Sequence, residues 1–240
     1  MRLSVRRLRR AVAAAPLLFS AYAGLAYVAV PAAWSRHQRR IVRVQDGRIS
    51  YTAERIPGDP LNVALVGSRP EVVAAMRRAG WSQADPISFR SAIRDAGSVL
   101  FARPYEAAPV STHYVDGRRQ DLAFERIVGG SPRRRHHVRF WRTADADGEG
   151  RAVWLGAASY DRSVGFSRYT GEVMHHIDPR VDAERETLFA DLARAGALGR
   201  RSRIEGFRQA GRFRNGGGDP YETDGALAWG ELSVGRAAKR

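Results

Sequence analysis

Between Ala11 and Trp34 the chain carries no charged residue, and arginines bracket this run on both sides. Arg2, Arg6, Arg7, Arg9 and Arg10 precede it, and Arg36, Arg39, Arg40 and Arg43 follow it. As a helix, these twenty-four residues rise ~36 Å, against a hydrocarbon layer of ~30 Å. Leu17, Leu18, Phe19, Leu25, Val28 and Val30 supply apolar surface, and Tyr27 and Trp34 suit a membrane interface. The run predicts a transmembrane anchor over 11–34, after a basic tail over 1–10 and before a juxtamembrane connector over 35–56. Two other readings stay open. A cleaved signal peptide has a shorter apolar region of ~7–15 residues, and Val30-Pro31-Ala32 offers it only a poor cleavage site. A buried soluble helix is the third. The arginine balance, five before and four after, leans toward the N-terminus inside and the domain exported.

Residues 57–236 remain for one soluble domain, long enough to bury its own core. The absence of cysteine excludes disulfides and thiolate chemistry. A net charge of +15 invites a nucleic-acid reading, but the charge is unevenly placed. Residues 1–44 hold nine arginines and no acid, whereas residues 45–200 carry only +3. A nucleic-acid domain concentrates positive charge on its folded part. Here it gathers around the apolar run, where anionic headgroups would meet it. Membrane lipid, with or without a membrane-protein partner, is therefore the expected partner, and nucleic acid is not.

Leu61–Val66 reads as a buried strand, and Ser68-Arg69-Pro70-Glu71 has the spacing of a capping box for a helix ending at Gly80. A second helix is expected over 89–100. Strand-like stretches follow at 112–115 and 122–128 around Asp116-Gly117, then at 137–142 and 153–160. Asp178-Pro179 suggests the cap and first residue of a further helix ending at Gly196. Closing strands are expected at 204–213 and 226–234, joined by a loop over 215–225. Helices and strand pairs alternate without a βαβ rhythm, so the fold class is α+β with mainly antiparallel strands.

Five of the six histidines fall between residues 113 and 176. In an extended strand His137, Arg139 and Trp141 share one face, and His136, Val138 and Phe140 share the other. The same parity places His176 with Asp178 if that stretch is extended. A candidate catalytic cluster of His137, Arg139, Asp161 and His176, with Asp178, is then geometrically conceivable. The competing reading is structural, with each histidine bonded locally. No metal-ligand spacing appears, so no metal is assigned and the cofactor is left unknown. Arg133, Arg134 and Arg135, after Gly129-Gly130, are candidates for a phosphate or carboxylate ligand. In the segment Asn215-Gly216-Gly217-Gly218-Asp219-Pro220-Tyr221-Glu222-Thr223-Asp224-Gly225, the candidate ligand-binding residues are Asp219 and Asp224, and a structured hairpin loop is the competing reading.

Several of these stretches together carry a resemblance. They are Gly58-Asp59-Pro60-Leu61-Asn62, Gly80-Trp81, Arg103-Pro104-Tyr105, Gln120-Asp121-Leu122 and Ser131 to Trp141. Trp154-Leu155-Gly156-Ala157, Tyr160-Asp161-Arg162, His175-His176-Ile177-Asp178-Pro179 and the glycine-rich segment complete the set. The chain resembles the LssY C-terminal domain family over roughly residues 57–234. The resemblance implies a bacterial, membrane-associated protein, since such domains commonly follow multi-pass segments, including the lipid-phosphatase type. It transfers no catalytic residue. The expectation is a membrane-anchored envelope domain that binds a membrane partner or an anionic lipid or glycan. The alternative is a hydrolase or transferase acting on phosphorylated or lipid-linked substrates through the His/Arg/Asp cluster.

Overall fold

A computed structural model describes residues 5–30, 32–33, 48–84, 111–169, 171 and 173–233. The helix expected over 89–100 lies outside them. The described chain is mixed α+β with mostly antiparallel strands. Its centre is a sheet built around two long strands, β8 (Ser131–Ala146) and β9 (Ala152–Phe166), joined by the Asp147–Gly150 turn. On the β8 side the order continues through β7 (Leu122–Val128) to β4 (Ser82–Gln83). On the other side β9 pairs first with β3 (Val63–Val66), then β14 (Leu227–Leu232) and β11 (Leu198–Ile204). The β14–β3 pair is parallel. Beyond its pairing with β8, β9 runs on beside β10 (Val173–Ile177) as a two-stranded ribbon.

Period two along the central strands separates two layers. Val138 and Phe140 of β8, Trp154 and Ala158 of β9 and Phe124 of β7 face α2 (Arg69–Arg78) and α3 (Val181–Arg194), forming the main core with Val72, Met76, Leu188, Phe189 and Leu192. On the opposite face Trp141 and Ala157 pack with Leu61 and Val115. A small sheet supplies that second layer: β1 (Ile49–Tyr51), β2 (Pro57–Pro60), β5 (Tyr114–Val115) and β6 (Arg118–Arg119). Residues 49–51, read from the sequence as part of the connector, form strand β1 of this sheet.

Local chemistry explains the ends of the elements. Ser68 Oγ accepts from Glu71 N while Glu71 Oε2 accepts from Ser68 N, so the expected capping box is formed. Asp116 and Gly117, at φ +49° and +76°, make the left-handed turn between β5 and β6. The start of α3 differs from expectation. Its cap position is Arg180, and Asp178 instead accepts from Arg180 N in a preceding turn. The closing segment also differs. A loop over 205–210 divides β11 from β12 (Gly211–Arg214), and β12 pairs with β13 (Pro220–Thr223) inside the segment expected as loop.

Ahead of the domain, α1 (Val5–Gly24) contains Pro16 and passes into a π-helical turn, Leu25–Ala29. Among the described residues no helix is long and apolar enough to cross a membrane. The uncharged run is divided between the two helical elements, and α1 spends its first turns on Arg6, Arg7, Arg9 and Arg10. A charge-free length alone therefore overstates the apolarity of the helix.

One close approach fixes the sheet centre. A Cβ at Gly156 would lie 2.7 Å from Phe140 and from Val63, both buried. Gly156→Ala is expected to cost about 1–3 kcal/mol by overpacking, whereas Gly148→Ala, with open space around it, should stay within about 0.5 kcal/mol. Urea unfolding of the two variants measures the difference.

Candidate functional site

Arg135, His137 and Arg139 leave β8 on the face covered by the small sheet, and all three are buried. Three basic groups on one buried face demand acids, and these arrive from three elements. Glu125 of β7 receives Arg135 Nη1 at 2.9 Å, and Asp161 of β9 receives Arg135 Nε at 2.9 Å. Asp59 of β2 receives Arg139 Nη1 at 2.6 Å and lies 3.3 Å from His137 Nε2. His137 Nδ1 sits 3.3 Å from Asp161 Oδ2, within ion-pair range but off the line of a hydrogen bond. Glu125, Arg135, Asp161, His137, Asp59 and Arg139 thus form a buried row of alternating sign.

Burial alone would raise the Asp59 and Asp161 carboxyls, yet both are held well below the usual carboxylate range. For Asp59 the hydrogen bond to His137 and the charge of Arg139 outweigh burial; for Asp161 the charge of His137 does so first. Burial would lower His137, but the carboxylates raise it, Asp161 foremost. His113 behaves oppositely. Burial, reinforced by the charge of Arg139, pushes it down to about 3. It is therefore neutral, hydrogen-bonded at Nδ1 to Ser50 Oγ at 2.8 Å, and Ser50 also bonds the Asp59 backbone. The small sheet carries this second tier of the site.

The residues expected from sequence divide. His137, Arg139 and Asp161 are brought together: strand parity put the first two on one face, and the β8–β9 pairing brings Asp161 to it opposite Arg135. His176 is placed elsewhere, with Nδ1 2.8 Å from Asp219 Oδ1, and it is His175 whose Nδ1 lies 3.5 Å from Arg135. The parity that set His176 beside Asp178 does not bring them together, because a register irregularity falls between His176 and Ile177 and the strand ends at Ile177. Asp178 pairs with Arg180 at 3.2 Å on the surface. Arg133 and Arg134 are exposed, while Arg135 is consumed by the buried row. Asp224 bonds Arg185 at 2.8 Å and Arg203 at 2.9 Å. His136 faces the helical layer, 2.7 Å from Glu184 and against the Tyr160 ring. Among the described residues no group of acids and histidines has the arrangement of a metal site.

Asp59, the acid shared by His137 and Arg139, was missed because Gly58-Asp59-Pro60 reads as chain punctuation. The signal for it is the burial of β2 together with Gly58, where a Cβ would lie 2.4 Å from His113. The glycine-rich segment is not an anion cradle. Gly216, Gly217 and Gly218 admit no side chain, since a Cβ would meet Ile56 at 1.8 Å, Met174 at 2.3 Å and Tyr169 at 3.0 Å. Their N–H groups are engaged by Pro57 O, Asn215 Oδ1 and Asn215 O.

Behind this row lies Arg208, also buried, in the loop before β12. It donates from Nη2 to the Tyr221 hydroxyl at 3.2 Å and stacks over Phe213, with the ring centre 5.2 Å away. Among the described residues its Nε and Nη1 have no hydrogen-bond acceptor. Sequence periodicity gave no hint of it.

A family model for the LssY C-terminus matches residues 41–227, and so takes in β1, the whole buried row and Arg208. The chain belongs to the LssY C-terminus family. No curated protein and no solved structure matches it. The family's residues therefore acquire their roles from the geometry alone, and in this LssY C-terminal domain Asp59 is the junction of the site.

The two buried histidines predict opposite pH slopes. His137, raised in the fold, contributes stability that is complete below its unfolded value of about 6.5 and is lost as pH rises through its folded value. His113, lowered to about 3, instead withdraws stability as pH falls below about 6.5. His137→Gln should therefore destabilise more at pH 6 than at pH 9, and His113→Gln should flatten the loss on the acid side. Chemical denaturation across that range reads both slopes.

Proposed function

We propose that this LssY C-terminal domain is a membrane-attached binding module for an anionic group, a phosphate or carboxylate such as lipid headgroups carry. The observation that supports this reading is Arg208. Among the described residues four arginines are buried: Arg135, Arg139, Arg185 and Arg208. The first three each meet a carboxylate, and Arg208 meets none. A guanidinium stays charged at every relevant pH, and burying a charge unpaired costs several kcal/mol. A ligand anion would balance it, with the Tyr221 hydroxyl as an adjacent donor. Tyr51 lies within reach of the same charge. Burial raises its phenol, Tyr221 adds to that, and the charge of Arg208 opposes both.

Attachment is ascribed to the apolar N-terminal segment, with the domain on the exported side of a bacterial inner membrane. The reading requires attachment and not crossing. A membrane-protein partner on the same surface is compatible with it. The hydrolase or transferase reading has one observation in its favour, His137 held between two carboxylates. Against it, each charge in the row is already matched by its neighbours, and both carboxylates are pushed away from neutral pH. The fourth expected member, His176, is occupied by Asp219.

Arg208→Gln in the full chain separates ligand binding from structure. Removing an unpaired buried cation is expected to leave the ligand-free protein as stable or more stable, as in other sites where function costs stability. The same change should weaken binding to vesicles containing phosphatidylglycerol by about ten- to a hundredfold, the value of ~1.5–3 kcal/mol for a charged hydrogen bond. Competition by inorganic phosphate tells a headgroup from a free anion. A large drop in Tm with unchanged vesicle binding would sink the proposal.

A further inference from the structure

We infer that the N-terminal helix and the tip of the β9–β10 ribbon form one docking face, on which the helix lies along the surface of an anionic bilayer instead of crossing it. This rests on the membrane attachment proposed above and specifies its geometry. Two hydrogen bonds carry the argument. The Tyr22 hydroxyl donates to Gly171 O at 2.8 Å, and Val173 N donates to the Tyr27 hydroxyl at 3.0 Å. The two tyrosine rings meet edge to face, 6.2 Å between centres, and Ala26 beside them is buried. The ribbon tip is therefore fixed to the middle of the uncharged run.

A crossing helix cannot keep those bonds. Tyr22 lies eleven residues from Ala11 and twelve from Trp34, which at 1.5 Å per residue places it about 16–18 Å from either end of a span. That is close to the midplane of a hydrocarbon layer of ~30 Å. Gly171 and Val173, at a turn and on an open strand edge, would be drawn in with it. Exposed irregular backbone and open sheet edges are not tolerated in lipid, because their N–H and C=O groups find no partner there.

Lying in the interface, the helix keeps both bonds and satisfies the rest of the surface. On the side and flanks of the helix turned away from buried Ala26, Leu17, Leu18, Leu25 and Val28 are 73%, 69%, 60% and 67% exposed. The cross-strand pair Phe166 and Val173 at the ribbon tip is 64% and 51% exposed. An in-plane helix buries its apolar side ~5–10 Å into the headgroup boundary, a depth that takes in these side chains together. Arg168, exposed in the ribbon turn, then lies at headgroup level, where anionic lipid complements it, and the sequence of α1 opens on further arginines. Tyrosine is the residue type suited to that depth.

The cysteine-free chain makes the test direct. Single cysteines are introduced by Ser4→Cys, Ser35→Cys and, as a marker of the domain's side, Ser202→Cys. Spheroplasts expressing each full-length variant are treated with a membrane-impermeant maleimide before and after lysis. The in-plane arrangement predicts that all three sites label from the same side. A fluorophore on Phe166→Cys should shift to the blue when the purified full chain meets phosphatidylglycerol vesicles. Labelling of Ser4→Cys from the side opposite to Ser202→Cys overturns the inference, and so does a probe at position 166 that stays water-like while the chain is vesicle-bound. A chain that does not sediment with membranes overturns the attachment itself, and is recognised separately by that result.

Discussion

Three basic side chains at alternate positions of β8 impose the constraint around which the second layer of the domain is organised. Arg135, His137 and Arg139 point away from the helical core into protein, not water. Their charge can be buried only if acids converge on the same line, and no single strand can deliver them. Glu125, Asp161 and Asp59 come from β7, β9 and β2 respectively. The first two are supplied by strands already paired with β8. The third requires the small sheet to close over that face, which places Ser50 and His113 on Asp59 and Leu61 and Val115 on Trp141. Each interior charge has a neighbour of opposite sign on both sides, except at the two ends of the row. Such a row is costly to break at one member and comparatively neutral to replace as a whole, so it specifies an arrangement more than it adds stability.

A comparable logic holds the helical layer to the sheet. Asn62, immediately before β3, bonds Ala158 through both its carbonyl and its amide and reaches Val181 O at the start of α3. Arg185 of α3 is buried and ties Asp182, Asp224 and Ala226 O together, so the segment entering β14 is fixed to the helix. Trp81 Nε1 donates to Asp191 at 3.0 Å, closing α2 against α3. Many of the polar residues in the family-like stretches are thus spent on joining elements far apart in the chain, which is why so few are left for chemistry.

What sequence reading captured and what it missed separate along the same line. The capping box at Ser68, the Asp116-Gly117 turn and the opposite faces of His136 and His137 are local, fixed by backbone geometry within a few residues, and each was legible. The α+β class followed from the order of such local units. Asp59 is 78 residues from His137, and Asp219 is 43 from His176. No periodicity reports a partner at that distance. His176 and Asp178 were expected on one face, but a register irregularity between His176 and Ile177 interrupts that parity, and His176 bonds Asp219 instead. The glycines at 216–218 were suggestive of a ligand for their freedom, whereas their real constraint is the absence of room. The N-terminal run was legible as apolar, but length and charge do not reveal that two of its tyrosines hydrogen-bond the domain.

Tyr221 feels both the buried row and Arg208: burial raises its phenol first, the charge and hydrogen bond of Arg208 oppose that, and the charge of Asp59 adds to it. With His137 protonated, the row contains three cations and three anions and is neutral as a unit. Arg208 then leaves the region one positive charge in excess, with no carboxylate of its own to collapse onto. Loss of the His137 proton would make the row net negative and cancel that excess. Under the proposed anion-binding role, the field offered to a ligand would therefore depend on His137, although the ligand need never touch it. In that role, a His137 raised against burial by the charge of Asp161 would keep the charge of Arg208 uncompensated.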